Sequence, residues 1–353
     1  MHSANNRNMK KSYSSTIAAV ASAFACVLLA MSCSHSPQWH TAEGSIWHTT
    51  YRITYLSATN LDDSILHTML TVEKSLSPFA PSSRISRINR NETDSTDSLI
   101  DSIFSISQRI SEISGGKFDP TVSPLVNLWG FGYDRRARQQ IEHDNVTPFR
   151  IEQEALDSAL MLVGIADCRI NAGRIIKKHP ATTFNFSSVT KGFACDMVSS
   201  MLTRNAAGNH MVEIGGEIAL AGHNPQNSGW RIQIDAPAGT SATAHTPLRI
   251  ISPPVGGIAT SGNYRNYHDT GRYGRVGHTI DPSTGMPAGS PIASASVTAP
   301  TCALADALAT ACMAASSQLQ ALEIINAIPK AECLLVIHRG DSLEIVTTPG
   351  FPS

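Results

Sequence analysis

Charge is scarce in this sequence, and no sign of it dominates. Only 16% of the 353 residues are Asp, Glu, Lys or Arg, and they sum to a formal −1, which argues against a nucleic-acid binder with its basic excess. Aromatic residues are few, at 6%. No two of the seven cysteines form a C-x-x-C pair, so neither a disulfide framework nor a zinc site is indicated. The phosphate-binding pattern G-x-x-x-x-G-K-[ST] is absent, which excludes a P-loop nucleotidase. After the first 33 residues no apolar run is long enough to span a bilayer. What remains, 24 Gly and 19 Pro in a chain 42% hydrophobic, fits a turn-rich α/β or α+β globular protein rather than a disordered or fibrous one. The length allows two domains or one large one.

The first 33 residues read as an export signal. Lys10 and Lys11 precede the mostly apolar stretch Thr16–Met31, and Ser32-Cys33 follows. A core of this length suits a signal peptide better than a spanning helix. A small residue directly before a cysteine is the pattern of a bacterial lipoprotein cleavage site, although Ala30 stands where that pattern usually has Leu. An ordinary signal peptide or an uncleaved anchor is the alternative. The expected organisation is a signal over residues 1–32, the lipidated Cys33 and a tether over 33–45, and one domain over 46–353. Cys168, Cys195, Cys302, Cys312 and Cys333 sit in apolar or helical contexts and are expected as buried thiols.

Hydrophobic spacing predicts strands over Ile46–Leu56, Thr183–Phe186, Met211–Ala221, Trp230–Asp235, Leu248–Ser252, Ile292–Thr298, Cys333–His338 and Ser342–Val346. It predicts helices over Leu61–Leu76, Leu99–Ile113, Ile151–Val163, Val189–Leu202, Cys302–Ser316 and Gln318–Ala327. Ser34–Glu43 reads as a tether and Tyr133–Pro148 as a polar surface loop. With no internal repeat and no later linker, the fold class is α+β, a single interwoven unit.

Three segments could carry chemistry. The Ala-rich helix around 302–316 bears one charge, Asp306, with Thr310 four residues on, so the carboxylate and hydroxyl share a helical face. Two hard oxygens there fit Mg²⁺; an exposed polar stripe continuing to Ser317 fits equally on spacing alone. In Phe184–Asp196, Ser187 or Ser188 can cap a helix with Lys191 in its first turn, where the helix dipole disfavours a cation unless a phosphate offsets it. An exposed Lys partly balanced by Asp196 is the plainer reading. In Gly256–Pro287, the turn Asp281-Pro282-Ser283-Thr284-Gly285 can hold His278 at a cleft mouth as a general base, or else closes a hairpin with a surface histidine. Three weaker signals are Lys117–Thr121, read as an Asp119 N-cap with Pro at N1, the strand Glu213–Glu217 with its glycine pair, and the loop aromatic Phe79.

In the order SLSPFAPSSRISRIN, GGKFDPTVSPLVNLWGFG, FNFSSVTKGFACD, VEIGGEIALAG, IATSGNYRNY, HTIDPSTGMP and ADALAT, these segments resemble the ApbE family of FAD:protein FMN transferases, from about Trp47 to His338. The resemblance implies an ApbE-like α+β unit and Mg²⁺-dependent transfer of FMN from FAD to a Thr or Ser hydroxyl of an exported domain of a membrane redox complex, with AMP released. It places the metal on Asp306, Thr310 and the Ser188 carbonyl. It places FAD contacts on Trp47, Phe79, Lys117, Phe118, Asp119, Asn185, Lys191 and Ile280, and assistance of the acceptor hydroxyl on His278; Lys191 and Asp306 join His278 in the implied catalytic set. The implied location is the outer, periplasmic side of the inner membrane, by lipid anchor. The sequence departs from the family at Asn185, where Asp is usual, at Ala309, where some members have another Asp, and at Trp47-His48, where Met-Gly is usual. A flavin-binding lipoprotein without chemistry and an Mg²⁺-dependent FAD pyrophosphatase are the alternatives.

Overall fold

The computed structural model describes residues 36–132, 151–237, 247–262, 267–269, 275–340 and 342–353. The expected signal, Cys33 and the loop Tyr133–Pro148 lie outside the described residues. The described chain begins with strands β1 (Gln38–Ile46) and β2 (Thr49–Ser57), followed by helices α1 (Asp62–Leu76), α2 (Arg84–Asn89), α3 (Ser98–Ile113), α4 (Ser123–Leu128) and α5 (Gln153–Leu160). Short strands β3 (Arg169–Asn171) and β4 (Arg174–Ile176) lead to the long helix α6 (Ser187–Arg204). Then come β5 (His210–Ile214), β6 (Glu217–Ala221), β7 (Ile232–Asp235), β8 (Pro247–Ile251), β9 (Gly256–Gly262), β10 (Tyr267–Asp269), β11 (Arg275–Gly277) and β12 (Ile292–Ala299). Helices α7 (Cys302–Ala314) and α8 (Gln318–Asn326) and strands β13 (Glu332–Arg339) and β14 (Ser342–Thr347) complete it. No helix among the described residues is long and apolar enough to cross a membrane.

Eight strands form one antiparallel sheet in the order β1-β2-β5-β6-β9-β12-β13-β14. Strand β13 shows why its sequence is a continuous apolar run. Cys333, Leu335 and Ile337 point into the main core with α6 and α7, while Leu334 and Val336 point to the other face, under Trp230, Ile232, Ile234 and Ile251 of the β7–β8 segment. Both faces are covered, so the polar alternation of a half-exposed strand is lost. A third, small cluster joins Leu125 and Trp129 to Leu156, Ala159 and Ile280, and the Trp129 indole N–H donates to the Gly285 carbonyl at 2.8 Å. This pins the Asp281 turn to α4 and α5. The mixed α+β unit expected from sequence is the fold observed.

Helix α7 is alanine-rich because it lies too close to its neighbours for anything larger. A Cβ at Gly257 of β9 would sit 2.2 Å from the Cys302 backbone, and one at Gly192 of α6 would sit 2.4 Å from the Cys302 carbonyl oxygen. All five described cysteines are buried and free, as expected.

Five local expectations are corrected. Ile46–Leu56 is not one strand but the second half of a hairpin, which turns at Trp47 (φ +51°) and His48 (φ +60°). Such a two-residue turn needs positive φ twice and usually uses Asn-Gly, so Trp-His does not advertise it. The tether expected over 33–45 is accordingly an edge strand from Gln38 onward. Met211–Ala221 is likewise two strands, turned at Gly215 (φ +66°) and Gly216 (φ +100°). Thr183–Phe186 is extended without being a strand: the Asn89 side-chain amide takes the place of a neighbouring strand, accepting from Phe184 N–H and donating to its carbonyl, both at 2.8 Å. The helix expected over Ile151–Val163 spans only Gln153–Leu160.

Candidate active site

Two helices, α6 and α7, pack side by side in opposite directions, pairing Asp196 with Cys302, Gly192 with Asp306 and Ser188 with Thr310. Helix α6 begins at Ser187, and neither expected serine caps it. The N-cap position is Phe186, and the residue before it, Asn185, accepts the Ser187 N–H at 3.0 Å and its hydroxyl at 2.6 Å on Oδ1, while Asn185 N–H donates to the Pro120 carbonyl at 2.7 Å. With Ser187 as the first helical residue, Lys191 stands one or two residues further into the helix than expected. Helix α7 is capped by Thr301 and also from across the core by Asp196 of α6, whose carboxylate accepts the N–H groups of Cys302 and Ala303 at 2.9 and 2.8 Å. Burial is the main influence on Asp196 and pushes its carboxyl up to about 6.

This clamp presses the middle of α7 against the start of α6. Asp306 is 3% exposed, which removes the exposed-stripe reading of that helix. Its Oδ2 accepts the Gly192 N–H at 3.0 Å, and the Thr310 hydroxyl lies 3.5 Å from the Ser188 carbonyl oxygen. A carboxylate, a hydroxyl and a backbone carbonyl thus converge at one end of a cavity. Burial raises the Asp306 carboxyl, against the lowering pull of Lys191 and the Gly192 N–H. No group of three or more His, Cys, Asp or Glu among the described residues is placed to hold a metal ion. Three hard oxygens with one carboxylate form an incomplete shell, of the kind Mg²⁺ completes with water and substrate phosphate; the residues present fit that ion. Ala309, by contrast, is fully buried in the main core and supplies nothing to the cavity.

The Lys191 ammonium forms an ion pair with Glu217 Oε1 at 3.0 Å. Burial opposes its charge, but Asp306 and Glu217 outweigh it and hold the lysine above its ordinary value. Burial raises the Glu217 carboxyl, against the lowering pull of Lys191. Glu217 is the functional candidate that the sequence reading passed over. Its signal was a carboxylate at an inward position just after a glycine-pair turn.

The cavity measures about 620 Å³ and is lined by Lys117, Phe118, Asp119, Asn185, Ser188, Lys191, His278, Ile280, Asp306 and Thr310 among others. Ten of the expected site residues therefore meet in one place. Trp47 and Phe79 do not line it. Trp47 sits in the β1–β2 turn, packed against the core with its indole nitrogen buried and unpartnered, and Phe79 lies in an exposed loop, 65% accessible. Lys117 donates to Asp281 Oδ2 at 2.5 Å. Burial would raise the Asp281 carboxyl, but Lys117 and Ser283 more than compensate and hold it below its ordinary value. Asp119 is not the N-cap expected: Val122 precedes α4, and the Asp119 carboxylate instead accepts from Thr121 N–H and hydroxyl and from Ile165 N–H. It ties the cavity floor to the chain beyond α5. His278 follows β11, with its ring edge-to-face on Phe131, centroids 6.3 Å apart.

Lysines, a hard-oxygen cluster and an imidazole around one cavity suit a phosphorylated ligand and a transfer from it. Comparison with known proteins agrees. The profile of the ApbE family matches residues 47–335. A Vibrio cholerae protein named FAD:protein FMN transferase is 31% identical over 93% of this chain and 96% of its own length; one of the same name from Salmonella typhimurium is 28% identical over 93% and 94%. Among solved structures, the flavin transferase ApbE from Vibrio cholerae superposes with a TM-score of 0.76 at 29% identity, covering 89% of this chain and 98% of that one. The apo flavinyl transferase ApbE from Pseudomonas stutzeri gives 0.75 at 26% identity, covering 89% and 96%.

Proposed function

We propose, because this chain belongs to the ApbE family, that it is an FAD:protein FMN transferase. The observation that carries the reading is the convergence of Asp306, Thr310 and the Ser188 carbonyl beside Lys191 and His278 on one cavity. The substrate is FAD, and the acceptor is a Thr or Ser hydroxyl of an exported domain of a membrane redox complex. The export signal and Cys33 support a lipoprotein held on the periplasmic side of the inner membrane.

In this reading Asp306, Thr310 and Ser188 hold Mg²⁺. A divalent ion held there would supply a Lewis acid for a phosphoryl oxygen and for the charge left on AMP. Lys191, kept protonated by its two carboxylates, donates to phosphate oxygen and adds a second positive charge that needs no reorganisation. His278 accepts the proton of the acceptor hydroxyl as its oxygen bonds to the FMN phosphorus of FAD. The bond between the two phosphates breaks, FMN remains on the protein as a phosphoester, and AMP leaves with the electron pair. Lys117, fixed by Asp281, and Asn185, fixed by Pro120 and Ser187, hold the polar walls against the dinucleotide.

The test is to incubate the mature chain with FAD, Mg²⁺ and an acceptor domain bearing a candidate Thr, then look for flavin fluorescence on a denaturing gel. A band that vanishes with a chelator and in Asp306→Asn supports the reading. Free FMN and AMP without a band replaces it with a pyrophosphatase, and unchanged FAD with a binding protein. A band that survives the chelator removes the metal from the scheme.

A further inference from the structure

Lys191 lines the same cavity as two buried carboxylates, Glu217 and Asp306, and forms an ion pair with only one of them. Its ammonium is 3.0 Å from Glu217 Oε1, and Asp306 acts on it through charge without a hydrogen bond. Asp306 already gives Oδ2 to the Gly192 N–H. An ammonium on its other oxygen would take the place a hard cation needs. Glu217 is itself well anchored. The Cys195 thiol of α6 donates to its carbonyl at 3.2 Å, and it follows the Gly215-Gly216 turn. At Gly215 a Cβ would come 3.2 Å from Lys191 Cδ and 3.0 Å from Thr49 Oγ1, so the glycine leaves the channel through which the lysine passes. Glu217 is 4% exposed, and its Oε2 has no hydrogen-bond partner. A buried carboxylate with half its capacity unused needs a cation close by, and Lys191 is that cation.

We propose that Glu217 is a positioning residue which holds the Lys191 ammonium away from Asp306, keeping Asp306 open for a divalent cation. This rests on the metal reading of the site given above. The two carboxylates divide two positive charges between them: Glu217 takes the lysine and Asp306 takes the metal. If Glu217 is neutral, Lys191 has only Asp306 to turn to and competes with the metal for it.

The experiment is a Mn²⁺ titration of the mature chain, alone and with FAD, followed by the electron paramagnetic resonance of free Mn²⁺. It compares wild type, Glu217→Gln, Glu217→Asp, Lys191→Met and the Glu217→Gln/Lys191→Met double variant. The expected result is at least tenfold weaker Mn²⁺ binding in Glu217→Gln, partial recovery in Glu217→Asp, and no further loss when Glu217→Gln is added to Lys191→Met. The double-variant comparison isolates the coupling, because a merely structural glutamate would weaken binding equally in both backgrounds. Equal losses in both backgrounds, or unchanged affinity in a folded Glu217→Gln, overturn the proposal. Absence of saturable Mn²⁺ binding by wild type overturns it together with the metal reading. No transfer is needed for these measurements, so failure of the transferase reading shows separately, in the labelling assay.

Discussion

The carboxylate of Asp196, in the third turn of α6, accepts the backbone N–H of Cys302 at the start of α7, at 2.9 Å. With the Ala303 N–H on its second oxygen, it caps one helix from inside another. These are the helices that bring Ser188 and Lys191 against Asp306 and Thr310, so the cap sets the spacing of the site.

Replacing Asp196 with Ala leaves two buried N–H groups unsatisfied. The loss of a cap and of buried hydrogen bonds costs about 2 kcal/mol or more, to be read from the urea midpoint. Mn²⁺ affinity should fall with it, although Asp196 touches no candidate ligand. A variant of wild-type stability would show that the clamp contributes nothing.

Gly192→Ala tests the same contact from the other side. Its Cβ would meet the Cys302 carbonyl at 2.4 Å and Asp306 Cβ at 2.8 Å, so α6 and α7 must separate. Overpacking of this kind costs about 1–3 kcal/mol. The Gly192–Asp306 hydrogen bond should lengthen at the same time, and the Mg²⁺ concentration that half-saturates labelling should rise. Alanine at this position with unaltered stability and metal response would contradict the close approach.

How much of this was legible beforehand depended on the signal each residue carries. Asp306 and Thr310 stood out because a lone acid in an alanine helix is costly unless it is used. Helix α7 and strands β12 to β14 followed from periodicity. The Trp47-His48 turn was hidden because its positive φ values fall on residues that do not announce them, and the Thr183–Phe186 segment because Asn89, far away in sequence, supplies its backbone bonds. Asp196 read as a partial charge balance for Lys191, but it caps α7. No local pattern links residues 196 and 302. Glu217 was passed over for the same reason: its importance lies in facing Lys191 across the gap between sheet and helix.

His278→Ala should separate binding from transfer. The residue lines the cavity without being one of the candidate metal ligands, so FAD and Mn²⁺ affinities should stay within about threefold, while labelling of the acceptor falls by about 10²-fold or more, the scale of a lost general base. The two measurements are FAD fluorescence quenching and the rate of covalent flavin incorporation. Should FAD affinity collapse along with labelling, His278 would belong to the binding wall instead.

His210 on β5 gives the protein an acid-sensitive point remote from the site. It is fully buried, bonded to the Ala207 carbonyl at 2.7 Å and to the Ser199 hydroxyl at 2.7 Å. Burial is the main influence and lowers its pKa, against the Ala207 carbonyl. The folded state then binds fewer protons here than the unfolded chain, whose histidines titrate near 6.5, so the stability tied to His210 is present above that pH and is lost below it. Asp196 and Glu217 run the other way. Their raised carboxyls bind extra protons in the folded state, so their contribution falls as pH rises above about 4, for Asp196 towards about 6. The whole-protein profile mixes these signs, and a difference separates them. His210→Gln should be less stable than wild type at pH 7.5, and that gap should shrink at pH 5.5. Urea unfolding at the two pH values measures it; a gap that stays constant would mean that the imidazole is protonated alike in both states.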